Sequence, residues 1–307
     1  MENQMLSFPA PAKINHFLHI TGQLPNGYHR IQTLFQFVEL CDQLQFQLRQ
    51  DSQINVILES NEPIAKENNL VFKAAKLLQS MSSTKQGIDI YLNKVIPIGA
   101  GLGGGSSNAA TTLMVLNYLW QLQLSMDTLA NIALQLGADV PVFILGHSAF
   151  AEGIGDILYP VEFEESWLLL VCPPCQVLTS KMFSSSELTR NTPAFKIEDL
   201  MQDGIVSIVE RCGNDFEPLV RKIYPEVDNA IKWLSNFGKV RLSGSGASIF
   251  VCLNSYQEAE QALKQLPLSY KAFVVKSQNQ SALMQALNIF SQNNLHPREI
   301  CAKYATA

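Results

Sequence analysis

No stretch of the 307-residue sequence approaches the ~20 consecutive apolar residues of a membrane-spanning helix. The opening residues, MENQMLSFPAPAK, have neither the basic start nor the apolar run of a secretory leader. Charge is scarce, at 16%, and does not lean basic: 22 Lys and Arg stand against 27 Asp and Glu, a formal net charge of −5. General nucleic-acid binders are basic, so no nucleic-acid partner and no membrane partner are expected. A small phosphorylated ligand is not excluded, because backbone N–H groups hold phosphate without net positive charge. Cysteine supplies no framework either. Cys41, Cys172, Cys175, Cys212, Cys252 and Cys301 are scattered, and Cys172-Pro-Pro-Cys175 lacks the second pair or histidine cluster that would complete a zinc site. The expectation is a reduced, cytoplasmic protein with incidental cysteines. There is no internal repeat and no low-complexity segment.

What remains is an ordinary globular composition, 47% apolar, long enough for one large core or two modest ones. Residues 12–21 read as a strand with Lys13, Asn15, Phe17 and His19 on one face, and no clean segregation of apolar side chains. Pro25-Asn26-Gly27 is a turn, since Pro presets φ and Asn and Gly tolerate φ > 0. Strand patterns follow at 31–40, 43–49 and 54–58, a helix at 69–80 and a strand at 88–94. Helices are expected from about Ser106 to Gln121 and from Met126 to Leu136, the second capped by Ser125. Residues 149–161 read as two short strands around a glycine turn. Beyond them come a buried strand in WLLLVCPP, a helix at 179–189, strand–turn–strand in VRLSGSGASIFVCL, a helix opened by the Ser255/Glu258 capping pair, and a strand at 271–277. The pattern predicts an α+β chain of two domains, 1–162 and 163–292, with a tail at 293–307.

The densest local signal is VIPIGAGLGGGSSNAATTLM, where Gly99, Gly101, Gly103, Gly104 and Gly105 fall within seven positions between a strand and a helix. Glycines permit φ > 0 and close approach of a ligand, and a helix start offers unpaired N–H groups and the positive end of the dipole. Together these favour phosphate. A Walker loop would need Gly-Lys-Ser/Thr, but Gly105 is followed by Ser106-Ser107-Asn108; a dinucleotide fingerprint from Gly101 would need Gly or Ala where Ser106 stands. The cradle is therefore one of amides and hydroxyls without a local cation.

Two further stretches, Pro9-Ala-Pro-Ala-Lys13-Ile-Asn15 and Arg241-Leu-Ser243-Gly244-Ser245-Gly246-Ala247, join the glycine run in an order and spacing that resemble the three signature motifs of the GHMP kinases. The likeness narrows in PAKINHFLHITGQLPNGYHRIQTLFQF, PIGAGLGGGSSNAAT, LGADVPVFILGHSAFAEGIGD and RLSGSGA, which look like the branch whose acceptor is a cytidine-diphosphate-linked methylerythritol. It spans about residues 8–290. The resemblance implies a ribosomal-protein-S5-like N-terminal domain for ATP and catalysis and a ferredoxin-like C-terminal domain for substrate. The active site would lie in the cleft between them. It also implies transfer of the ATP γ-phosphoryl group to a substrate hydroxyl, the 2-hydroxyl, in the non-mevalonate route to isoprenoid precursors, with Mg²⁺ bound by ligands that the sequence does not name. A monomer or homodimer is expected.

Asp139, in Leu136-Gly-Ala-Asp-Val-Pro141, reads by itself equally as a proton acceptor and as an N-cap for VPVFIL; the resemblance makes it the general base. Lys13 would otherwise be a solvated strand lysine, and the resemblance sets it beside Asp139, with Asn15 on the same strand face. ATP is expected at Pro97, Gly99, Ala100, Gly101, Leu102, Gly103, Gly104, Gly105, Ser106, Ser107 and Asn108, with Asn69 and Lys94 nearby. For the substrate, the resemblance assigns Tyr28 and Phe35 to stacking around the cytosine, His29 to its edge, Phe183 to the opposite wall, and Ile154, Thr179, Ser243 and Gly244 to further contacts. Some relatives carry a Lys immediately after that Phe; here Ser184 stands there, with Lys181 nearby. Another GHMP kinase, such as a homoserine kinase, and a non-catalytic nucleotide sensor are the competing readings. The Tyr28-His29 and Phe183 set weighs against the first and the joint presence of Lys13 and Asp139 against the second.

Overall fold

The computed structural model describes residues 5–58, 68–82, 84–196, 204–267 and 269–293. Its spine is a long antiparallel hairpin, β1 (Leu6–Gln23) and β2 (His29–Arg49), closed by the Pro25–Gly27 turn. Gly27 sits at φ +87°, and the Asn26 side chain accepts a bond from Tyr28 N at 3.1 Å. β1 is buried on both faces from Phe8 to Ile20, which is why its apolar residues do not alternate. β2 runs unbroken where the sequence suggests two strands. Cys41 and Asp42, where the sequence breaks it, pair in register with Pro11 and Ala10; a bulge lies just before them, since Ala12 pairs with Val38 and residues 39 and 40 are extra on the β2 side.

β4 (Gly87–Asn93) pairs antiparallel with the C-terminal half of β2, and β3 (Ile54–Leu58) pairs parallel with β4. β5 (Ala149–Glu152) and β6 (Ile157–Pro160) form the expected hairpin, β5 lying against the N-terminal half of β2. Four helices pack with this sheet around one core, α1 (Leu70–Ser80), α2 (Gly104–Leu119), α3 (Met126–Leu134) and α4 (Val140–Leu145). α2 is buried from Ser107 through Leu116, the polar Ser107, Asn108, Thr111 and Thr112 included, so it is a core helix whose polar face is covered and not solvated. Ser125 caps α3 through Thr128 N, as its position predicts.

The second sheet contains β7 (Trp167–Cys172), β8 (Val240–Leu242), β9 (Ile249–Leu253) and β10 (Lys271–Gln278). They lie in the spatial order β10-β7-β9-β8, all antiparallel, which is the ferredoxin-like arrangement. Its helices are α5 (Thr179–Ser184), α6 (Ile205–Arg211), α7 (Glu217–Ile223), α8 (Pro225–Leu234) and α9 (Tyr256–Lys264). α5 is shorter than the 179–189 expected, because the backbone turns extended at Ser185. α9 is capped by Ser255. The sheets join where Ser277 and Gln278 of β10 pair with Val38 and Phe37 of β2. α10 (Ala282–Asn293) then returns to the first core, where Leu283, Ala286 and Phe290 are buried and Phe290 meets Phe8 edge-on at 5.6 Å. The tail at 293–307 lies, apart from the end of α10, outside the described residues. No helix among the described residues is long and apolar enough to cross a membrane.

Candidate active site

Two cavities meet at the glycine run. One, of about 780 Å³, opens between the two sheets' loops and is lined by Lys13, Asp139, Tyr28, His29 and Phe183 among others. The other, of about 410 Å³, is lined by Asn69, Lys94, Pro97, Gly104 and Asn108 among others. Gly101, Gly103 and Ser106 line both, so the loop and the first turn of α2 are their common wall.

Backbone approach explains the glycines at this wall. Gly101 has φ +78°, and a Cβ there would lie 2.2 Å from the Ser243 carbonyl oxygen. Gly103, at φ +71°, is the N-cap residue of α2 and makes no side-chain cap bond. The first N–H groups of α2 therefore have no side chain capping them, and the positive end of the helix faces the shared wall. The loop is strapped on both sides: Lys13 N donates to Leu102 O at 3.0 Å, and Ser248 N donates to Ala100 O at 3.1 Å.

Lys13 is 2% exposed, not solvated. Its Nζ donates to Asn15 Oδ1 at 2.7 Å and to Gly101 O at 3.1 Å, lies 3.3 Å from Asp139 Oδ2, and sits 5.4 Å from the centre of the Phe35 ring. The period-two placement of Lys13 and Asn15 on one strand face holds. Asp139 occupies the N-cap position of α4, yet its side chain makes no cap bond. Its carboxylate is 38% exposed and lines the larger cavity, so it is available to a ligand. Asn15 is fixed through Nδ2 to Thr33 Oγ1 at 2.8 Å, and its backbone N–H donates to Ser243 Oγ at 3.3 Å. The Ser243 hydroxyl donates onward to Gly101 O at 3.0 Å. Three distant motifs thus converge on one carbonyl.

In the smaller cavity, Asn69 caps α1 by accepting from Val71 N at 2.9 Å. Lys94 pairs with Asp42 and donates to Asn108 Oδ1 at 3.1 Å. Asp42, fully buried, also accepts from Val95 N and Ile96 N at 2.8 and 2.9 Å, which pins the entry to the glycine run. Leu102 and Ala100 line this cavity through the loop; Ser107 is buried and lines neither cavity, and its hydroxyl has no hydrogen-bond partner among the described residues.

At the far end of the larger cavity, Tyr28 is 58% exposed and His29 is buried. The His29 ring stacks on Phe183 at 4.6 Å and 20°, and Phe183 packs edge-on against Phe216 at 4.9 Å. Burial, and after it the charge of Arg190, pushes the His29 pKa below its ordinary value. Ile154, Thr179 and Gly244 also line this cavity, and Thr179 exchanges a 2.7 Å hydrogen bond with Ser245. Ser184 lines it as well, while Lys181 is exposed and does not. The sequence reading omits Thr33, Asp42, Arg190 and Asn214. Asn214 holds the 242–244 turn by donating to Leu242 O and Gly244 O at 2.9 and 2.8 Å. All four act on groups far along the chain, so no local spacing marks them.

Comparison with known proteins agrees with this geometry. The model for the GHMP kinases N terminal domain matches residues 69–147, and that for the GHMP kinases C terminal matches 197–272. A curated 4-diphosphocytidyl-2-C-methyl-D-erythritol kinase of Hahella chejuensis is 45% identical over 296 residues, covering 94% of this chain and 98% of that protein. A crystal structure of 4-(cytidine 5'-diphospho)-2C-methyl-D-erythritol kinase superposes with a TM-score of 0.75 at 28% identity, covering 89% of this chain and 99% of the other. A homoserine kinase from Cytophaga hutchinsonii shares the fold alone, with a TM-score of 0.63 at 18% identity and coverage of 92% and 98%. Both halves of the chain match the family models, and a close relative aligns along nearly all of it: the chain belongs to the GHMP kinases, in the branch of the 4-diphosphocytidyl-2-C-methyl-D-erythritol kinases.

Proposed function

We propose that this protein transfers the γ-phosphoryl group of ATP to the 2-hydroxyl of 4-diphosphocytidyl-2-C-methyl-D-erythritol, giving the 2-phosphate and ADP, in the cytoplasmic non-mevalonate route to isoprenoid precursors. One observation carries the reading: the Lys13–Asp139 pair, at 3.3 Å, sits in the larger cavity beside the wall that both cavities share. ATP takes the smaller cavity, with its phosphates on the glycine loop and the start of α2, and the polyol takes the larger. The substrate hydroxyl oxygen attacks the γ-phosphorus, the bond from that phosphorus to the bridging oxygen breaks, ADP leaves, and the hydroxyl proton passes to the Asp139 carboxylate. Lys13 orients that carboxylate and offsets charge developing on the attacking oxygen. Tyr28 and Phe183 give the nucleobase end its aromatic faces, His29 supplies a hydrogen bond to the base edge, and Phe35, its ring 5.4 Å from Lys13 Nζ, walls the cavity at the Lys13 end.

Mg²⁺ fits the donor set only in part. Among the described residues no group of three or more His, Cys, Asp or Glu could hold a metal. A magnesium ion held mainly by ATP phosphates and water, with Asp139 and the Ser106 hydroxyl as the protein groups in reach of the wall, would neutralise phosphate charge.

A coupled ADP-release assay tests the reading. It offers ATP with the cytidine-diphosphate-linked polyol, methylerythritol phosphate, homoserine and mevalonate in turn. Release with the cytidine compound alone is expected, and release with homoserine alone overturns the assignment.

A further inference from the structure

Arg190 lies in a loop that no motif marks, yet one guanidinium contacts both sides of the nucleobase end of the cavity. Its Nε donates to His29 Nε2 at 3.0 Å. Its Nη2 donates to Phe183 O and Ser185 O at 2.6 and 2.7 Å, and its Nη1 donates to Leu188 O at 3.0 Å. The carbonyls of Phe183 and Ser185 belong to the frayed end of α5, so the same side chain that ends the helix also fixes the ring that the helix carries. The next residues tie this loop to the hairpin: Thr192 N donates to Ile20 O at 3.1 Å, and Phe195 N to Gln32 Oε1 at 2.8 Å.

The bond to His29 has a chemical consequence. Arginine cannot accept a hydrogen bond or give up its proton, so it can only donate. His29 Nε2 must then offer its lone pair, and in a neutral imidazole the proton resides on Nδ1. The lowered pKa of His29 is consistent with a ring held neutral by burial and by the neighbouring guanidinium. A ring with Nδ1–H presents a donor, not an acceptor, to a ligand in the cavity that His29 lines. Cytosine offers an acceptor at N3, whereas uracil carries a proton there and would set donor against donor.

We infer that Arg190 is a positioning residue that locks His29 as an Nδ1–H donor and seats the Phe183 ring, and that it thereby makes this site prefer cytosine over uracil. The inference rests on the substrate reading above only for which base is used. A site built to hydrogen-bond one edge rejects a base lacking it because a buried polar group is left unpaired.

Arg190→Met keeps the bulk of the side chain without its donors, and Arg190→Lys restores one. The imidazole ¹⁵N signals of His29 in the full chain report the tautomer, while steady-state kinetics with the cytidine- and uridine-diphosphate-linked polyols report selectivity. Wild type is expected to show the Nδ1–H form. Arg190→Met is expected to lose that form, to raise KM for the cytidine compound by about tenfold or more, and to narrow the cytosine-to-uracil ratio by a similar factor, with KM for ATP within about twofold. Arg190→Lys is expected to recover part of both signals, which a general loss of structure would not permit. An unchanged tautomer, or an unchanged base ratio, in a folded Arg190→Met protein overturns the inference. Inactivity of wild type toward both base-linked polyols overturns the substrate reading and with it the selectivity, while the ¹⁵N signals still decide whether Arg190 sets the tautomer.

Discussion

Lys13 and Ser243 donate to the same acceptor, the carbonyl oxygen of Gly101, at 3.1 and 3.0 Å. The cation paired with Asp139 and the hydroxyl of the last signature turn therefore report to one peptide unit of the glycine loop. Ser243→Ala removes both the bond to Gly101 O and the acceptor for Asn15 N. The expected result is a loss of about 1–3 kcal/mol of stability for the unpaired buried groups and a several-fold rise in KM for ATP. Chemical unfolding and initial-rate kinetics on the same preparation check the two parts.

Asp139→Asn keeps the size of the side chain and removes its ability to accept the hydroxyl proton. Its carboxylate makes no cap bond to α4, so the fold depends on it only through the ion pair with Lys13, which keeps its bonds to Asn15 Oδ1 and Gly101 O in the variant. Turnover is expected to fall by about 10²–10⁴-fold, with the binding of both substrates nearly unchanged. Calorimetric titration beside kcat measures this; near-normal turnover removes Asp139 as the base.

The glycines of the run are not equivalent. Gly101→Ala would press a Cβ to 2.2 Å from the Ser243 carbonyl oxygen at a φ of +78°, so the loop must shift and ATP affinity should drop. Gly105→Ala would place its Cβ, in the first turn of α2, 3.6 Å from Leu70 Cδ1 of α1, an ordinary contact. That variant should hold or slightly raise the melting temperature, since alanine is the better helix former by about 0.5–1 kcal/mol. Thermal melts of the two variants side by side separate them, and equal losses would contradict the geometry.

His16 predicts the acid side of the stability profile. Burial lowers its pKa to about 4 from 6.5, with the charge of Arg241 adding to the effect, and its Nε2 bonds Gln36 Oε1 at 2.7 Å. Because the folded value lies below the unfolded one, the unfolded chain takes up this proton first as pH falls. The stability is thus complete above about pH 6.5, declines between there and about pH 4, and levels below, for a total on the order of 3 kcal/mol. His19 and His29, both also lowered, act in the same direction. Urea unfolding of wild type and His16→Asn at pH 7 and pH 5 tests this; the variant should lose less stability between the two.

Much of the site is legible along the chain because its chemistry demands local patterns. The glycine run is expected to precede a helix start, and α2 begins at Gly104. Lys13 and Asn15 had to share a strand face, and they bond at 2.7 Å. The elements and residues that escape are those whose reasons lie elsewhere in the molecule. Asp42 reads as a polar break between two strands, yet it is the buried partner of Lys94 and of two backbone amides. The helices at 205–211, 217–223 and 225–234 are short, and the latter two carry a proline, Pro218 and Pro225, in their first turn. Arg190 and Asn214 act on carbonyls and ring nitrogens whose positions only tertiary packing creates. The helix at 179–184 stops early because Ser185 turns extended, an outcome no propensity scale contains.

The return of α10 to the first core makes the ferredoxin-like half an insertion within the N-terminal half instead of an appendage to it. A ribosome releasing this chain would complete the ferredoxin-like sheet before the N-terminal body could close over Phe8, because Leu283, Ala286 and Phe290 are supplied last. The chain also crosses between the two bodies more than once, which restrains how far they can part. Among the described residues, a deletion beginning at residue 282 removes nothing that lines the two cavities, but it strips part of the core on which the glycine loop's sheet is built.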